Sequence, residues 1–182
     1  MEELQLDVSK RYILISGGSM GVGGMEKVLD AMIRWARPNQ TIRFIVICGT
    51  NEALYLRFLK KYASQGVTVV GYTNRMHLYM KASVLYVTKP GGLSSTEAAV
   101  MGVPILHVSP IPGCETCNAL FFENHGMSLA LKKLDPQQIS YAMRTLGWSE
   151  LRRQMVDQQK TCIPGGAAGR IADLAEKMVD EI

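Results

Sequence analysis

The sequence lacks any run of about 18 apolar residues, the length that a membrane-spanning helix needs. Its amino terminus also lacks the basic and apolar segments of a secretion signal. Neither sign of charge is in large excess, because 20 basic and 16 acidic side chains give a formal net charge of +4. This mild balance predicts a solvated globular surface and no nucleic-acid partner. An attraction to phosphate groups or anionic lipid stays open.

Residues that bind metals are also few. A zinc site needs more than the C-x-x-C formed by Cys114 and Cys117, and no second pair or suitably spaced histidines accompany it. A redox C-x-x-C would stand at the start of a helix after a strand, and this alternative is the less favoured one. Cys48 ends an apolar run and is predicted to be a small buried residue. Reduced thiols predict a cytoplasmic location.

Short apolar runs alternate with segments of helical periodicity along most of the chain. The predicted strands are Arg11–Ser16, Thr41–Cys48, Val67–Val70, Val84–Thr88, Val103–Val108 and Met127–Leu131. Strands that alternate with helices predict an α/β fold, in which a parallel six-stranded sheet carries helices on both faces. We expect a single domain over residues 1–182, with an α/β core at 11–131 and C-terminal helices at 135–182.

Capping residues mark several predicted helix starts. Asn51 and Asn74 each stand where a helix begins, and Asp135 is followed by Pro136, which suits the first helical position. The last predicted helix carries an apolar face that includes Ile171 and Met178. We expect this face to be exposed or to pack against another domain or another copy.

Parallel sheets bind ligands beyond the carboxyl ends of their strands, so the loops after the strands form the candidate site. The loop Ser16–Gly21 joins a strand to a helix and is rich in glycine, which permits close approach of anionic oxygens to free amides. Its glycines do not match G-x-G-x-x-G in register, and the lysine of a P-loop is missing. A phosphate-binding loop and a plain turn both stay open.

Two later loops carry more chemistry. The stretch Thr88–Glu97 crowds hydroxyl groups onto a helix start, which suits a diphosphate. Glu97 suits the paired hydroxyls of a ribose, with a helix-capping role as the equal alternative. Glu115 and Asn118 are three residues apart, so they share a helix face. They favour hydrogen bonds to a sugar, although an ordinary helix start is the alternative.

Together these loops resemble the donor-binding half of the GT-B glycosyltransferases. The branch that they resemble contains monogalactosyldiacylglycerol synthase and processive diacylglycerol glucosyltransferase. The matching sequence segments are I-S-G-G-S-M-G at Ile15–Gly21, T-K-P-G-G-L-S-S-T-E-A at Thr88–Ala98, M-G-V-P-I-L at Met101–Leu106 and P-I-P-G-C-E-T-C-N-A at Pro110–Ala119. The resemblance implies a Rossmann-like sheet, the C-terminal half of a GT-B fold.

The resemblance also implies a role for each matched position. The diphosphate of a UDP-sugar would lie against Gly17, Gly18, Ser19, Gly91, Gly92, Ser94 and Thr96. Uracil and ribose would contact Tyr72, Met76 and Glu97, and the transferred sugar would contact Glu115 and Asn118. Relatives typically carry glutamine where this chain has Cys114, which leaves the identity of the sugar open. No D-x-D-type cluster lies in these loops, so no metal or other cofactor is expected.

The implied activity is transfer of a hexose from a UDP-sugar to a lipid acceptor such as diacylglycerol. In this family the acceptor and the catalytic base belong to an N-terminal domain. We therefore expect that domain, or a separate subunit, as a partner, and we expect the isolated chain to be inactive. The full protein would be cytoplasmic and peripheral at the membrane. The alternatives are half of a UDP-sugar 2-epimerase, a non-catalytic nucleotide-binding subunit, or a Rossmann-like domain for another ligand. No catalytic base is assigned, and His107 is predicted to be a core residue.

Overall fold

The computed structural model describes residues 1–18, 24–108 and 112–180. Within them, one sheet contains six strands, all paired in parallel: β1 (Arg11–Ser16), β2 (Ile42–Ile47), β3 (Val67–Val70), β4 (Ser83–Thr88), β5 (Ile105–His107) and β6 (Leu129–Ala130). The strand order is β3-β2-β1-β4-β5-β6, so the direction of winding reverses between β1 and β4. The predicted Rossmann-like parallel sheet is confirmed.

The helices follow the strands in chain order. They are α1 (Met25–Ala36), α2 (Glu52–Tyr62), α3 (Met76–Lys81), α4 (Gly92–Val100), α5 (Cys114–Asn124), α6 (Pro136–Thr145), α7 (Ser149–Cys162) and α8 (Ala167–Asp180), preceded by a short 3-10 helix at Glu2–Leu4. None of the helices in the described part of the chain is long and apolar enough to cross a membrane.

Alternate side chains of the central strands enter two separate cores, one on each face of the sheet. Ile13 and Ile15 of β1 pack with α1, α2 and α6 on one face, whereas Leu14 packs with α3, α4 and α5 on the other. Because both faces are covered, the central strands are apolar almost throughout, as expected for a parallel sheet. The ends of the strands are then free to carry polar residues.

Two of the three predicted helix caps are confirmed. The side chain of Asn51 accepts a hydrogen bond from the amide of Leu54, and that of Asp135 accepts one from the amide of Gln138. The cap at Asn74 is wrong, because α3 begins one residue later, after Arg75. The Thr73 hydroxyl accepts from the Arg75 amide and closes this turn instead.

Strands β5 and β6 are shorter than the predicted runs Val103–Val108 and Met127–Leu131. The reason lies at the ends of α4 and α5, where the amides of Val103 and Met127 donate back to Ala98 and Phe122, respectively. Each bond follows a glycine of positive φ and closes its helix in a Schellman motif. The backbone at these positions therefore ends a helix before it joins the sheet.

The apolar face of α8 is exposed. Ile171, Leu174 and Met178 all point to solvent, although the sequence pattern gives them the spacing of a packed helix face. Packing of this face against another domain or another copy stays a prediction. The preceding turn, Pro164–Gly166, separates α8 from the packed body of the protein.

Candidate functional site

The carboxyl ends of three neighbouring strands place the candidate loops side by side. In the register of the sheet, Ser16 at the end of β1 pairs with Thr88 at the end of β4, and Thr88 pairs with His107 of β5. The winding of the sheet reverses at β1 and β4, which is where open parallel sheets bind their ligands. The described start of the predicted glycine loop, Ser16–Gly18, therefore lies next to the strand that leads into α4.

A buried polar contact at the end of β1 fixes the start of the first loop. The Ser16 hydroxyl lies 3.0 Å from the Tyr86 phenol oxygen, and the Gly18 amide donates to the Ser16 hydroxyl at 3.4 Å. Gly17 is buried, and Gly18 has a φ of 82°, which favours glycine over any other residue. Ser19, also predicted to contact a diphosphate, lies outside the described residues.

The second loop leaves open space above a helix start. Gly91 precedes α4 with φ −72° and ψ 137°, values that any residue adopts. A Cβ on Gly91 would meet no heavy atom of the described residues within 4 Å, and one on Gly92 would lie 3.9 Å from the Asn118 amide nitrogen. Neither backbone strain nor packing by the described residues explains these glycines. The first amides of α4, which have no acceptor inside the helix, face this space.

The hydroxyls of the first turn of α4 differ in their surroundings. Ser95 is buried, and its hydroxyl lies 2.9 Å from His107 Nε2. The Thr96 hydroxyl donates to the carbonyl of Gly92 at 2.8 Å, so its hydrogen is engaged by the helix itself. Ser94 is half-buried and stands near the buried Tyr86 phenol, whose pKa it lowers against the larger effect of burial. Of the three, Ser94 lies nearest the start of α4.

His107 is a core residue, as predicted. Both ring nitrogens have hydroxyl partners, with Nε2 at 2.9 Å from Ser95 and Nδ1 at 3.0 Å from Ser128. The edge of the Phe122 ring packs against the imidazole at a centroid distance of 5.4 Å. Burial lowers the pKa of His107 to about 4, so the ring is neutral at pH 7. It holds α4 to β5 rather than facing the site.

Two side chains of α5, which follows the third loop, contact the second loop. Gly113 has a φ of 100° before α5, a conformation that favours glycine. Asn118 donates to the carbonyl of Pro90 at 3.0 Å, and Glu115 Oε1 accepts from Lys89 Nζ at 2.9 Å. The predicted shared face of Glu115 and Asn118 is therefore confirmed, and it faces the turn between β4 and α4.

Lys89 is the site residue that sequence reasoning missed. Its ammonium meets Glu115, and its Cε lies 3.7 Å from the place that a Cβ on Gly18 would occupy. The side chain thus spans the site from the first loop to the third. Its place in the K-P-G-G turn was a signal, but its reach depends on how the loops fold together.

A groove of about 570 Å³ adjoins the other side of α4. Met76 and Met80 of α3, Thr96 and Glu97 of α4 and the turn before α8 line it. The structure therefore brings Met76 and Glu97 together, whereas Tyr72 is exposed and lies outside the described lining of the groove. The capping role for Glu97 is wrong, because α4 starts at Gly92 and Glu97 lies beyond its first turn.

The C-x-x-C lies at the start of α5, one residue earlier than the predicted helix. Cys114 is the first residue of this helix, and it and Cys117 are exposed free thiols. Residues 1–18, 24–108 and 112–180 contain no group of three or more His, Cys, Asp or Glu side chains that could hold a metal ion.

The fold defines the class of protein: a Rossmann-like domain of the GT-B type. Residues 12–175 match the glycosyltransferase family 28 C-terminal domain, and the chain belongs to this family. It is similar to processive diacylglycerol beta-glucosyltransferases from Bacillus mycoides (strain KBAB4), with 32% identity over 93% of this chain and 43% of the relative, and from Staphylococcus aureus (strain JH9), with 37% identity over 66% and 31%. The chain spans less than half the length of these relatives.

Solved structures share the fold. The S. aureus MnaA–UDP co-structure has a TM-score of 0.76 and 18% identity, covering 96% of this chain and 47% of that one. Acinetobacter baumannii MurG has a TM-score of 0.72 and 21% identity, covering 92% and 52%. At these identities the likeness concerns the fold alone.

Proposed function

We propose that this chain is the donor-binding half of a glycosyltransferase that moves a hexose from a UDP-sugar to a lipid acceptor such as diacylglycerol. The observation that carries the proposal is the convergence of three loops at one edge of the sheet, with open space above Gly91 and Gly92. Family membership supports the reaction class. The similar relatives, named for glucose transfer to diacylglycerol, support the substrates.

In this proposal the diphosphate lies between the first loop and the start of α4. Gly17, Gly18 and Ser19 approach it from one side, and Gly91, Gly92, Ser94 and Thr96 from the other. The amides at the helix start point at this space, and the helix dipole favours an anion there. The binding needs no metal, because these amides supply the positive end that a diphosphate requires.

The rest of the donor extends to either side of the diphosphate. Glu97 binds the ribose hydroxyls, and the uracil lies toward Met76, in or beside the groove between α3 and α4. Tyr72, exposed near the start of α3, is proposed to pack on the uracil ring when it binds. On the opposite side, Glu115 and Asn118 contact the hexose from the first turns of α5.

The reaction breaks the bond between the anomeric carbon of the hexose and the β-phosphate oxygen. The electron pair of this bond stays on that oxygen, and UDP leaves. An acceptor hydroxyl oxygen bonds to the anomeric carbon and loses its proton to a base. We propose that an acceptor-binding domain or subunit supplies this base, and that it brings the cytoplasmic complex to the membrane surface. The amides at the start of α4 stabilise the charge that grows on UDP.

Calorimetric titration with UDP tests the proposal. We expect saturable binding of one UDP per chain, weaker binding of UMP and uridine, and no heat with NAD. Thermal unfolding gives a second measurement, because UDP that binds the folded chain should raise the unfolding temperature by mass action. A chain that is folded by circular dichroism and gives neither heat nor protection at millimolar UDP would contradict the proposal.

A further inference from the structure

One ion pair stands where the proposed diphosphate and hexose meet. Lys89 Nζ and Glu115 Oε1 are 2.9 Å apart, and the two side chains are only 15% and 17% exposed. The stem of Lys89 passes over Gly18, whereas Glu115 lies in the first turn of the helix that faces the proposed sugar. The pair therefore spans the place where the bond between phosphate and sugar would break.

The pair is not needed to tie the two loops together. The Asn118 side chain already joins α5 to the turn after β4 through its 3.0 Å bond to the Pro90 carbonyl. A partly buried ion pair also adds little to stability, because removing two charges from water offsets most of their attraction. A role in binding explains the position of Lys89 better than a structural role does.

We propose that Lys89 exchanges partners when the donor binds. In the free protein its ammonium holds Glu115, and in the complex it turns to the diphosphate and makes Glu115 Oε1 available to the hydroxyls of the hexose. This inference rests on the proposed function. A lysine suits the exchange because its ammonium is a compact charge on a flexible stem. A diphosphate carries more negative charge than one carboxylate, so it competes well for the ammonium.

The exchange also places a cation beside the leaving group. When the bond between the anomeric carbon and the β-phosphate oxygen breaks, its electron pair remains on the phosphate. The Lys89 ammonium, which keeps its proton throughout, stabilises that charge. The proton released by the acceptor hydroxyl goes to the base outside this chain. Lys89 is therefore assigned to binding and charge stabilisation, not to proton transfer.

A ladder of ligands on matched variants tests the exchange. Uridine, UDP and UDP-glucose are titrated into the wild type, Lys89→Met, Lys89→Arg and Glu115→Gln. We expect Lys89→Met to weaken UDP binding about tenfold or more, the loss that one charged hydrogen bond implies, and to leave uridine binding unchanged. Lys89→Arg should retain most of the UDP affinity, because it keeps the charge.

Glu115→Gln gives the sharper result. Because this variant removes the carboxylate that competes for the ammonium, bare UDP should bind more tightly than it does to the wild type. The additional affinity of UDP-glucose over UDP should fall, since the sugar loses a carboxylate partner. Lys61→Met is the matched control, as Lys61 is an ion-paired lysine on α2, away from the site, and it should change none of these affinities.

Three outcomes would overturn the exchange alone: wild-type UDP affinity in Lys89→Met, weaker UDP binding in Glu115→Gln, or equal losses for uridine and UDP. Equal losses accompanied by a lower unfolding temperature would identify the pair as a structural tie. A folded wild type that binds neither uridine nor UDP would instead overturn the proposed function, and the exchange with it.

Discussion

Two ion-paired lysines stand in different regions of the molecule, one where helices pack and one at the edge of the sheet where the donor is proposed to bind. Lys61 on α2 contacts Glu26 and Asp30 of α1 at 2.8 Å each, and its ammonium lies 5.0 Å from the centre of the Tyr62 ring. Hydrogen bonds to Asp30 and Glu26 raise the pKa of Lys61. Lys89 instead joins a turn to the first turn of α5, at the edge where three strands end.

The two lysines differ in their surroundings. Lys61 lies on α2 and both of its partners lie on α1, beside the edge-to-face rings of Phe58 and Tyr62. These ion pairs therefore reinforce a contact that apolar packing has already made. Lys89 stands in the same turn as Gly91 and Gly92, glycines that neither strain nor packing by the described residues requires. Around β4 and β5 the protein also buries polar side chains, including Ser95, His107 and Ser128.

The largest expected effect concerns this buried polar region at low pH. Because His107 has a folded pKa of about 4, below its usual 6.5, the unfolded chain takes up the proton first. Stability therefore rises with pH across this window and is lost as the pH falls from 6.5 to 4. The loss should reach about 3 kcal/mol, measured by urea unfolding at a series of pH values.

The control for this prediction is His107→Gln, which keeps a polar side chain but cannot titrate. It should lower stability at pH 7 and flatten the dependence between pH 6.5 and 4. Asp30, whose carboxyl pKa is lowered by Lys61 and Tyr62 despite the opposing effect of burial, loses its contribution only below its usual 3.8. An unchanged slope in His107→Gln would show that other groups cause the acid sensitivity.

The next effect concerns a methyl group added above the site. Gly91→Ala should weaken UDP binding about tenfold or more, because the new Cβ enters the space proposed for the diphosphate. Stability should stay the same, since the Cβ meets no described heavy atom within 4 Å and the backbone is unstrained. Calorimetry and thermal unfolding together measure both effects.

Gly169→Ala is the matched control, because its Cβ also meets no described heavy atom within 4 Å and its place is in the exposed helix α8. It should stabilise the helix by at most about 1 kcal/mol and leave UDP affinity unchanged. If both alanines left UDP affinity unchanged, the space above Gly91 would not hold the diphosphate.

A smaller effect is expected at the packing lysine. Lys61→Met should lower the free energy of unfolding by at most about 1 kcal/mol, because the ion pairs of Lys61 are more than a third exposed on the lysine side and solvent weakens them. UDP affinity should not change. A clear loss of UDP binding in this variant would break the distinction between the two lysines.

The smallest effect is expected at Thr96. Its hydroxyl already donates to the Gly92 carbonyl, so Thr96→Val should change UDP affinity by less than about twofold. Ser94→Ala should weaken binding more, because Ser94 is half-buried and stands nearer the start of α4. If Thr96→Val weakened UDP binding more than Ser94→Ala, the Thr96 hydroxyl would have to leave the helix backbone to contact the diphosphate.

The sequence predicts the sheet well because each strand is a short apolar run between clear turn signals. Caps such as Asn51 and Asp135 were predictable for the same reason, since a cap acts within four residues of chain. The error at Asn74 arose because Thr73 offers a competing local bond. The lengths of β5 and β6 were overestimated because apolarity does not reveal which amides close the preceding helices.

The site was predictable only as a set of loops. The sequence places Gly91 in one segment and Glu115 and Asn118 in another, and it gives no distance between the two segments. The role of Lys89 depends on the meeting of Gly18, Lys89 and Glu115, which are far apart in the chain. The different surroundings of Ser94, Ser95 and Thr96 depend on Tyr86 and His107, whose orientation follows from the sheet.

The most direct test of the account is to map UDP onto the chain by changes in amide chemical shifts. We expect the shifted amides to cluster at Gly18, at Gly91–Glu97 and at Tyr72–Met76, with the amides of α2 and α6 unchanged. Shifts confined to another surface, such as the cleft beside Trp35 at the opposite end of the strands, would contradict the claim that the carboxyl edge of the sheet binds the donor.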